Sequence, residues 1–176
     1  MTTRTRRAAV AMVAIALSSL LGCATEPAPV PTPTPAFASE EEAFAAAEEV
    51  YRAYNDALNE SRVTDNTETS PRSYLTGPAL EGDLEATRYL EEQGLEIVGE
   101  GKVAGFDGTT ARLASDGVEV TAEVCLDVSG TQVVDASGGN LTPQGRPTRL
   151  PLHVTFVFSD GALLISSSSL IDGDAC

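Results

Sequence analysis

The sequence has few of the side chains that metal sites and acid–base active sites use most. Its 176 residues include no tryptophan, one histidine and three cysteines. Histidine is the commonest metal ligand and the side chain whose charge changes most readily near neutral pH. We therefore expect no metal ion, no cofactor and little capacity for base catalysis.

Positive charge is also scarce. Lysine and arginine number 11 against 26 aspartates and glutamates, so the net charge is −15, and Arg4, Arg6 and Arg7 account for three of the cations. A surface this negative repels phosphate backbones, which disfavours nucleic-acid partners. The charge mainly favours solubility, and steering of a cationic ligand is the alternative.

One apolar run stands near the N-terminus, and it is short. The stretch 8–20, "AAVAMVAIALSSL", follows the basic segment 1–7 and has no polar face. A helix needs about 20 apolar residues to span a bilayer, so this run is too short for that role. A basic segment followed by such a run is typical of an export signal, and a buried core helix is the alternative.

The residues after this run resemble the lipobox of bacterial lipoproteins. The motif is "LLGC", Leu20 to Cys23. The resemblance implies that a lipoprotein signal peptidase recognises Leu20 and Gly22, cuts before Cys23, and leaves a diacylglycerol on the Cys23 sulfur. Each acyl CH₂ in lipid contributes about 0.8 kcal/mol, so two or more chains make a lasting anchor. Residues 1–22 would be a signal peptide, and the mature chain would be held by the membrane at its outer face. The general secretory and twin-arginine routes both stay open.

A proline-rich tract separates the anchor from the rest of the chain. We interpret 23–38 as the lipidated cysteine plus a linker, since prolines occupy every second position from 27 to 35. Alternating prolines keep a chain extended, and about 15 residues at about 3.1 Å each span on the order of 45 Å. A proline-rich ligand for another protein is the alternative. The folded domain is predicted to be 39–176.

The first part of this domain has helical patterns. Ser39 with Glu42 reads as a capping box, and a long amphipathic helix is predicted over 40–60. Its apolar positions recur at steps of three or four: Phe44, Ala47, Val50, Tyr51, Tyr54 and Leu58.

A polar loop over 61–70 and a second helical region follow. A short turn is predicted over 71–75, and a helix over 78–93 with Pro78 in its first turn and Gly94 just past its end. The predicted apolar side of this helix consists of Leu80, Leu84, Thr87 and Leu90.

From residue 95 onward the apolar period changes from helical to two. The stretch 118–128 alternates without a break, and three Asp-Gly pairs at 107–108, 116–117 and 160–161 indicate hairpin turns. At least four antiparallel strands are predicted near 95–105, 117–129, 148–158 and 162–171, with 136–147 as a long hairpin loop. The predicted class is α+β, with N-terminal helices packed on a curved antiparallel sheet.

This order of elements resembles the nuclear transport factor 2-like superfamily, which includes the SnoaL-like and ketosteroid isomerase-like domains. The likeness covers about residues 40–172, includes the stretches "VYRAYNDALN" and "AEVCLDVSG", and is closest to the actinobacterial lipoprotein branch. It implies a cone-shaped sheet with a cavity between helix and sheet. Some members are isomerases, dehydratases or polyketide cyclases that hold Asp, His or Tyr in that cavity.

Two cysteines remain if Cys23 carries lipid. Cys125 lies on the wetter face of its predicted strand, and Cys176 is the last residue. Because unpaired thiols are uncommon in oxidising compartments, we hypothesise a bond between them. The alternative is a buried Cys125 with a free Cys176.

Candidate site residues are few. Tyr54 and Tyr89 are the pocket candidates, whereas Asp127 and His153 fall on the outward phase of their strands. No nucleophile–base pair is evident, so no catalytic residue is assigned. Two hypotheses remain: a membrane-tethered module that binds an unknown protein or small molecule, and a small enzyme acting on a hydrophobic substrate. The oligomeric state stays open, including a dimer through the sheet face.

Overall fold

The computed structural model describes residues 36–64, 70–115, 117–172 and 176. The predicted signal peptide, the Cys23 anchor and all but the last residues of the linker lie outside the described residues. None of the helices in the described part of the chain has the length and apolar character needed to cross a membrane. In chain order the elements are α1 (Glu40–Ser61), a 3-10 turn (Pro71–Tyr74), α2 (Gly77–Gln93), β1 (Leu95–Gly99), β2 (Lys102–Ala114), β3 (Gly117–Asp127), β4 (Thr131–Asp135), β5 (Arg149–Ser159) and β6 (Ala162–Leu170).

The strands form two antiparallel sheets. Four of them make a curved sheet in the order β2-β3-β5-β6, and β1 pairs with β4 in a separate ribbon. Helix α1 contacts β2, β3 and β6, while α2 contacts β6 and β1. The predicted α+β class, with helices followed by a curved antiparallel sheet, is confirmed.

The first helix begins where the sequence indicates. The Ser39 hydroxyl accepts a hydrogen bond from the Glu42 backbone N–H at 3.2 Å, and the Glu42 carboxylate accepts one from the Ala38 N–H at 2.7 Å. Two backbone donors at the helix start are thereby satisfied. The helix runs one residue beyond its predicted end, to Ser61.

Small residues let α1 approach the sheet closely. Ala43 and Ala47 are fully buried, and Tyr51 is almost so. Gly108 of β2 lies beneath Phe44, and a β-carbon on this glycine would overlap the phenyl ring. The core under this helix contains the inward residues of the sheet: Val118, Val120, Ala122, Val124, Val154, Phe156, Leu163 and Ile165.

The second helix packs much less tightly. It begins one residue before its predicted start and ends at Gly94, whose φ of 64° is the expected left-handed cap. All of its residues are described, and none is buried. Leu84 is 44% exposed, so its assignment to the apolar side was wrong. The other three predicted residues do face the domain, since Leu80 packs against the core and Thr87 and Leu90 line a cavity. The same side also carries Ala79, Asp83 and Ala86.

The predicted strand over 95–105 is two strands in different sheets. The chain leaves β1 at Gly99 and enters β2 at Lys102, which continues to Ala114. The predicted turn at 107–108 is therefore wrong. Gly108 serves the close approach of Phe44, and the register of β2 shifts beside it, so this glycine marks a bulge rather than a turn.

Strand β4 was missed because it is five residues long and lies between two loops. It pairs with β1, and Gly99 there meets Gly130 so closely that a β-carbon on Gly99 would overlap the Gly130 carbonyl. The loop over 136–147 accordingly connects β4 to β5, although β3 and β5 are paired as expected.

Two predicted hairpins are present. Asp160 and Gly161 both have positive φ, 54° and 85°, between the paired residues Ser159 and Ala162. This matches a two-residue turn with left-handed central residues and confirms that prediction. Ala114 pairs with Gly117, so two residues also join β2 to β3, and Asp116 lies outside the described residues.

The disulfide between Cys125 and Cys176 is present, with 5.4 Å between their α-carbons and a sequence separation of 51. Cys125 is paired across the sheet with Gly105 and Pro151, and Arg149 donates a hydrogen bond to the Cys176 carbonyl at 3.3 Å. The bond thus holds the last residue against the sheet. Disulfides form and persist in oxidising environments.

Candidate functional site

A cavity of about 350 Å³ lies between α1, α2 and the inner side of the sheet, and we call it the inner cavity. Ligand pockets usually measure about 300–1,000 Å³ and are mostly apolar with a few polar groups. The apolar walls here include Leu58, Leu75, Leu126, Leu152 and Ile165. The polar groups are the two phenols of α1, the Asp83 carboxylate and the Ser168 hydroxyl.

A second space of about 330 Å³, the outer cavity, adjoins the first. The two share Leu58, Asp83 and Ala86 in their walls. The outer cavity continues between the end of α1, the end of α2 and β1, where its walls include Leu90, Leu95, Ile97 and Arg62. The two adjoining spaces make up one candidate site, and its outer part also carries Glu91 and Glu96.

Two tyrosines of α1 lie at the inner cavity. Their rings meet edge to face with centroids 6.0 Å apart. The pKa of Tyr54 is raised to about 12, mainly by burial and further by the Asp83 carboxylate, while Arg62 opposes the rise. Burial, followed by the neighbouring Tyr54, raises the pKa of Tyr51 as well. Both phenols are therefore neutral near pH 7 and can donate a hydrogen bond to a ligand.

The Asp83 carboxylate is already paired. Its Oδ2 accepts a hydrogen bond from Arg72 Nε at 2.7 Å, and Arg72 Nη2 donates to Thr87 Oγ1 at 2.9 Å. This arginine belongs to the 3-10 turn, so the contact ties that turn to α2. A carboxylate held in this way is neutralised by its partner and is poorly placed to abstract a proton.

Arg62 caps the C-terminal end of α1 and lines the outer cavity. Its Nη1 donates to the Asn59 Oδ1 at 3.1 Å and to the Gly99 carbonyl at 3.2 Å. Among the described residues, no carboxylate lies within 4 Å of its guanidinium. Burial lowers the pKa of Arg62 and the nearby Tyr54 opposes this, yet an arginine remains charged in proteins.

Two asparagines fix the turn between β1 and β2 beside this arginine. Asn55, only 7% exposed, donates to the Gly101 carbonyl at 3.0 Å. Asn59 donates to the same carbonyl at 2.9 Å and accepts from the Gly101 N–H at 2.9 Å. The turn is thereby bonded to α1, which holds Gly99 and Arg62 in place.

The predicted site residues lie in different places. Tyr54 lines the inner cavity, whereas Tyr89 is 60% exposed and lines neither cavity, so its assignment as a pocket residue was wrong. It lies on the outer side of α2, because the helix turns Asp83 and Ala86 inward instead. Leu20, Gly22 and Cys23 lie outside the described residues.

The outward strand residues are placed as predicted. His153 is exposed and paired across the sheet with Glu123. Asp127 accepts a hydrogen bond from the Ser129 N–H at 2.9 Å, and bonding to Ser129 lowers the pKa of Asp127. Neither residue lines the inner or the outer cavity.

Sequence reasoning missed Arg62 and Asp83. The spacing held a signal for both, since Arg62 follows Leu58 by four residues as Leu58 follows Tyr54. Likewise Asp83 falls between Leu80 and Thr87 at steps of three and four, on the stripe where Leu84 was wrongly placed.

The site combines apolar walls with a small set of polar side chains. Among the residues that the structure describes, its walls contain no histidine or cysteine, and the Asp83 carboxylate at the inner cavity is paired with Arg72. Within the described ranges, no group of three or more His, Cys, Asp or Glu side chains is arranged to hold a metal ion. What remains is a largely apolar site with the neutral phenols of Tyr51 and Tyr54 at the inner cavity and the Arg62 cation, at the C-terminal end of the same helix, at the outer cavity.

No protein-family model and no curated protein sequence matches this chain. Among solved structures, the fold is similar to the crystal structure of the intermembrane space region of chloroplast protein ARC6. The TM-score is 0.50 at 12% sequence identity, and the match covers 73% of this chain and 95% of that one. At this identity the likeness concerns the fold alone.

Proposed function

We propose that this protein is an exported lipoprotein, anchored at the outer face of the cell membrane through a lipid on Cys23, whose α+β domain binds an apolar small molecule between its helices and sheet. The "LLGC" motif after a short apolar run supports the anchor. The Cys125–Cys176 disulfide supports an oxidising compartment. We assign the domain to the nuclear transport factor 2-like superfamily, which the order of helices and curved sheet supports.

The largely apolar cavity is the observation that carries the binding proposal. Its walls are formed by α1, α2 and the sheet, and they are not filled by the chain's own side chains. Burial of an apolar ligand there is favoured by about 25 cal/mol for each Å² removed from water. Tyr54 and Ser168 supply the few polar contacts that orient a ligand.

A small enzyme of the isomerase, dehydratase or cyclase type is the alternative. The observation that favours it is the Asp83 carboxylate at the inner cavity, close enough to Tyr54 to raise the pKa of that phenol. The ion pair with Arg72 opposes a role as a base. Turnover of a bound ligand that is abolished by Asp83→Asn would favour the enzyme over the binding module.

The anchor is tested by replacing Cys23 with alanine in the full chain. The unaltered protein should partition with membranes and migrate as a shortened form, and the Cys23→Ala protein should lose both properties. Cys125→Ser is the matched control, because that cysteine belongs to the disulfide of the domain and not to the anchor. Membrane partition and shortening that survive Cys23→Ala would contradict the anchor.

The cavity is tested with N-phenyl-1-naphthylamine, a neutral dye that fluoresces in apolar surroundings. The full chain carrying Cys23→Ala serves as the background, so that no acyl chain competes for the dye. Ala86→Trp should fill the wall shared by both cavities and abolish the saturable signal. Ala45→Trp, on the exposed side of α1, should leave it unchanged. Equal dye binding by the two variants would contradict the proposed site.

A further inference from the structure

Arg62 is one of several described cations that form no ion pair, and it is the one that lines the outer cavity. The sequence has 26 aspartates and glutamates against 11 lysines and arginines. Arg52 and Arg72 form ion pairs with Glu48 and Asp83. Arg62 is half-buried at the outer cavity, yet no described carboxylate lies within 4 Å of it.

The contacts of Arg62 compensate its charge only in part. Its two hydrogen bonds go to an amide oxygen and a backbone carbonyl, which are neutral acceptors, and both come from Nη1. A guanidinium offers five N–H donors and prefers the two oxygens of a carboxylate or phosphate. Charges removed from water are usually paired, and the described residues supply no anion to pair with Arg62.

We propose that the cavity binds a single-chain monocarboxylate, with its carboxylate on Arg62 in the outer cavity and its apolar tail in the inner cavity. This inference rests on the proposed function and names the class of its ligand. The tail would lie against Leu58, Leu75 and Ile165, while the head would meet the guanidinium and the Thr87 side of α2.

The preference for one negative charge follows from the rim. Glu91 and Glu96 also line the outer cavity, and both are exposed. Their carboxylates, together with the net charge of −15, repel a head that carries two charges more strongly than a head that carries one. A carboxylate is therefore favoured over a phosphate monoester.

The neutral state of Tyr54 is consistent with this placement. Tyr54 of α1 and Arg62 at the C-cap of this helix interact electrostatically, and Leu58 lies midway between them in the sequence. A neutral phenol can donate to an anion or accept from a guanidinium without adding charge to the site. Arg62 is thus the residue that would pair with the charge of the ligand.

The inference is tested by equilibrium dialysis of radiolabelled dodecanoate, dodecanol and dodecylamine, each below its micelle concentration, at pH 8. The full chain carrying Cys23→Ala is again the background. Dodecanoate should bind at least about tenfold more tightly than dodecanol, and dodecylamine should bind least. Hydrogen bonds to charged groups are worth enough for Arg62→Gln to weaken dodecanoate about 10- to 100-fold. The same variant should leave dodecanol nearly unchanged.

Two further variants complete the design. Arg88→Gln removes an exposed arginine of α2 that lines neither cavity, and it should change no affinity. Arg62→Lys keeps the charge and should retain most of the preference for dodecanoate over dodecanol. Circular dichroism melting identifies any variant that fails to fold. If Arg62→Gln fails to fold, the comparison of dodecanoate, dodecanol and dodecylamine on the Cys23→Ala background, with native Arg62, tests the carboxylate preference by itself.

The outcomes separate this inference from the proposed function. If dodecanol binds as tightly as dodecanoate, the monocarboxylate is wrong and the apolar cavity stands. If none of the ligands binds, both are wrong. Tighter binding of dodecyl phosphate or of lysophosphatidylglycerol than of dodecanoate would overturn the carboxylate head and assign a phosphate-bearing lipid instead.

Discussion

The two helices cover the same domain but are held in different ways. Helix α1 buries Ala43, Ala47, Tyr51, Asn55 and Ala57, whereas α2 buries none of its residues. The first helix and the sheet share a packed core, while the second stands off from it and leaves the cavity beneath. Space for a ligand therefore exists because the domain can be stable without close packing of α2.

The hydrogen bonds show the same contrast. Two asparagine side chains bond α1 to the backbone of the turn at Gly101. Helix α2 is bonded to the 3-10 turn by the ion pair between Arg72 and Asp83, and its first turn packs Ala79 and Leu80 against the edge of the core. We expect substitutions on α1 to change the stability of the fold and substitutions on α2 to change the cavity.

The largest difference in stability is expected between the loss of a tyrosine from α1 and the loss of a tyrosine from α2. Tyr51→Ala should lower the free energy of unfolding by about 3–5 kcal/mol, as large buried aromatic side chains do. Tyr89→Ala, on the exposed side of α2, should stay within about 0.5 kcal/mol. Urea denaturation measures both. Similar losses for the two would contradict the contrast between the helices.

A smaller effect on stability is expected at the turn between β1 and β2, which the asparagines of α1 bond at Gly101. Asn59→Ala removes three hydrogen bonds, two with Gly101 and one from Arg62, and leaves the buried Gly101 amide without its acceptor, at a cost of about 1–3 kcal/mol. Thr87→Val on α2 breaks a contact at a more exposed site and should cost less than half as much. An equal cost for the two variants, by the same denaturation, would show that the turn adds no special support to α1.

The raised pKa of Tyr54 predicts a loss of stability at alkaline pH. This phenol binds its proton more tightly in the folded chain than in the unfolded chain. Stability is therefore full below pH 10 and falls as the pH rises from 10 to about 12, by about 1–2 kcal/mol for this group. Tyr54→Phe should reduce the fall and Tyr89→Phe should not. Identical pH profiles for the two variants would contradict burial of Tyr54 at the cavity.

The smallest effect concerns a glycine within α2. A β-carbon on Gly82 would meet nothing within 4 Å, so Gly82→Ala should raise the free energy of unfolding by about 0.5–1 kcal/mol through helix propensity. The cavity should stay open to the dye. A loss of stability would mean that α2 is more closely packed at this point than it appears from its exposure.

The fold was predictable where local pattern and packing agree. Local backbone requirements explain the correct predictions: the cap at Ser39 begins α1, the left-handed Gly94 ends α2, and Asp160-Gly161 forms a turn. Gly108 misled because its role is set by Phe44, which is 64 positions earlier in the sequence. A close approach between distant segments leaves no sign in the local pattern, and the same is true of the short strand β4.

The site was predictable only in part, for a similar reason. Tyr54 could be identified because an aromatic residue on the apolar face of a helix is expected to face the interior of the domain. Arg62 and Asp83 share the spacing of the inward stripes, but a charged residue at such a position is normally expected to face water. Their place at the cavity depends on how far α2 stands from the core, which no local pattern encodes.

Native-state amide hydrogen exchange tests the difference between the helices most directly, since it reports local opening segment by segment. We predict strong protection along α1, weaker protection along α2, and a selective gain in α2 protection when dodecanol is added. Equal protection of the two helices, unchanged by dodecanol, would contradict a fixed first helix and a loosely held second helix over a ligand cavity.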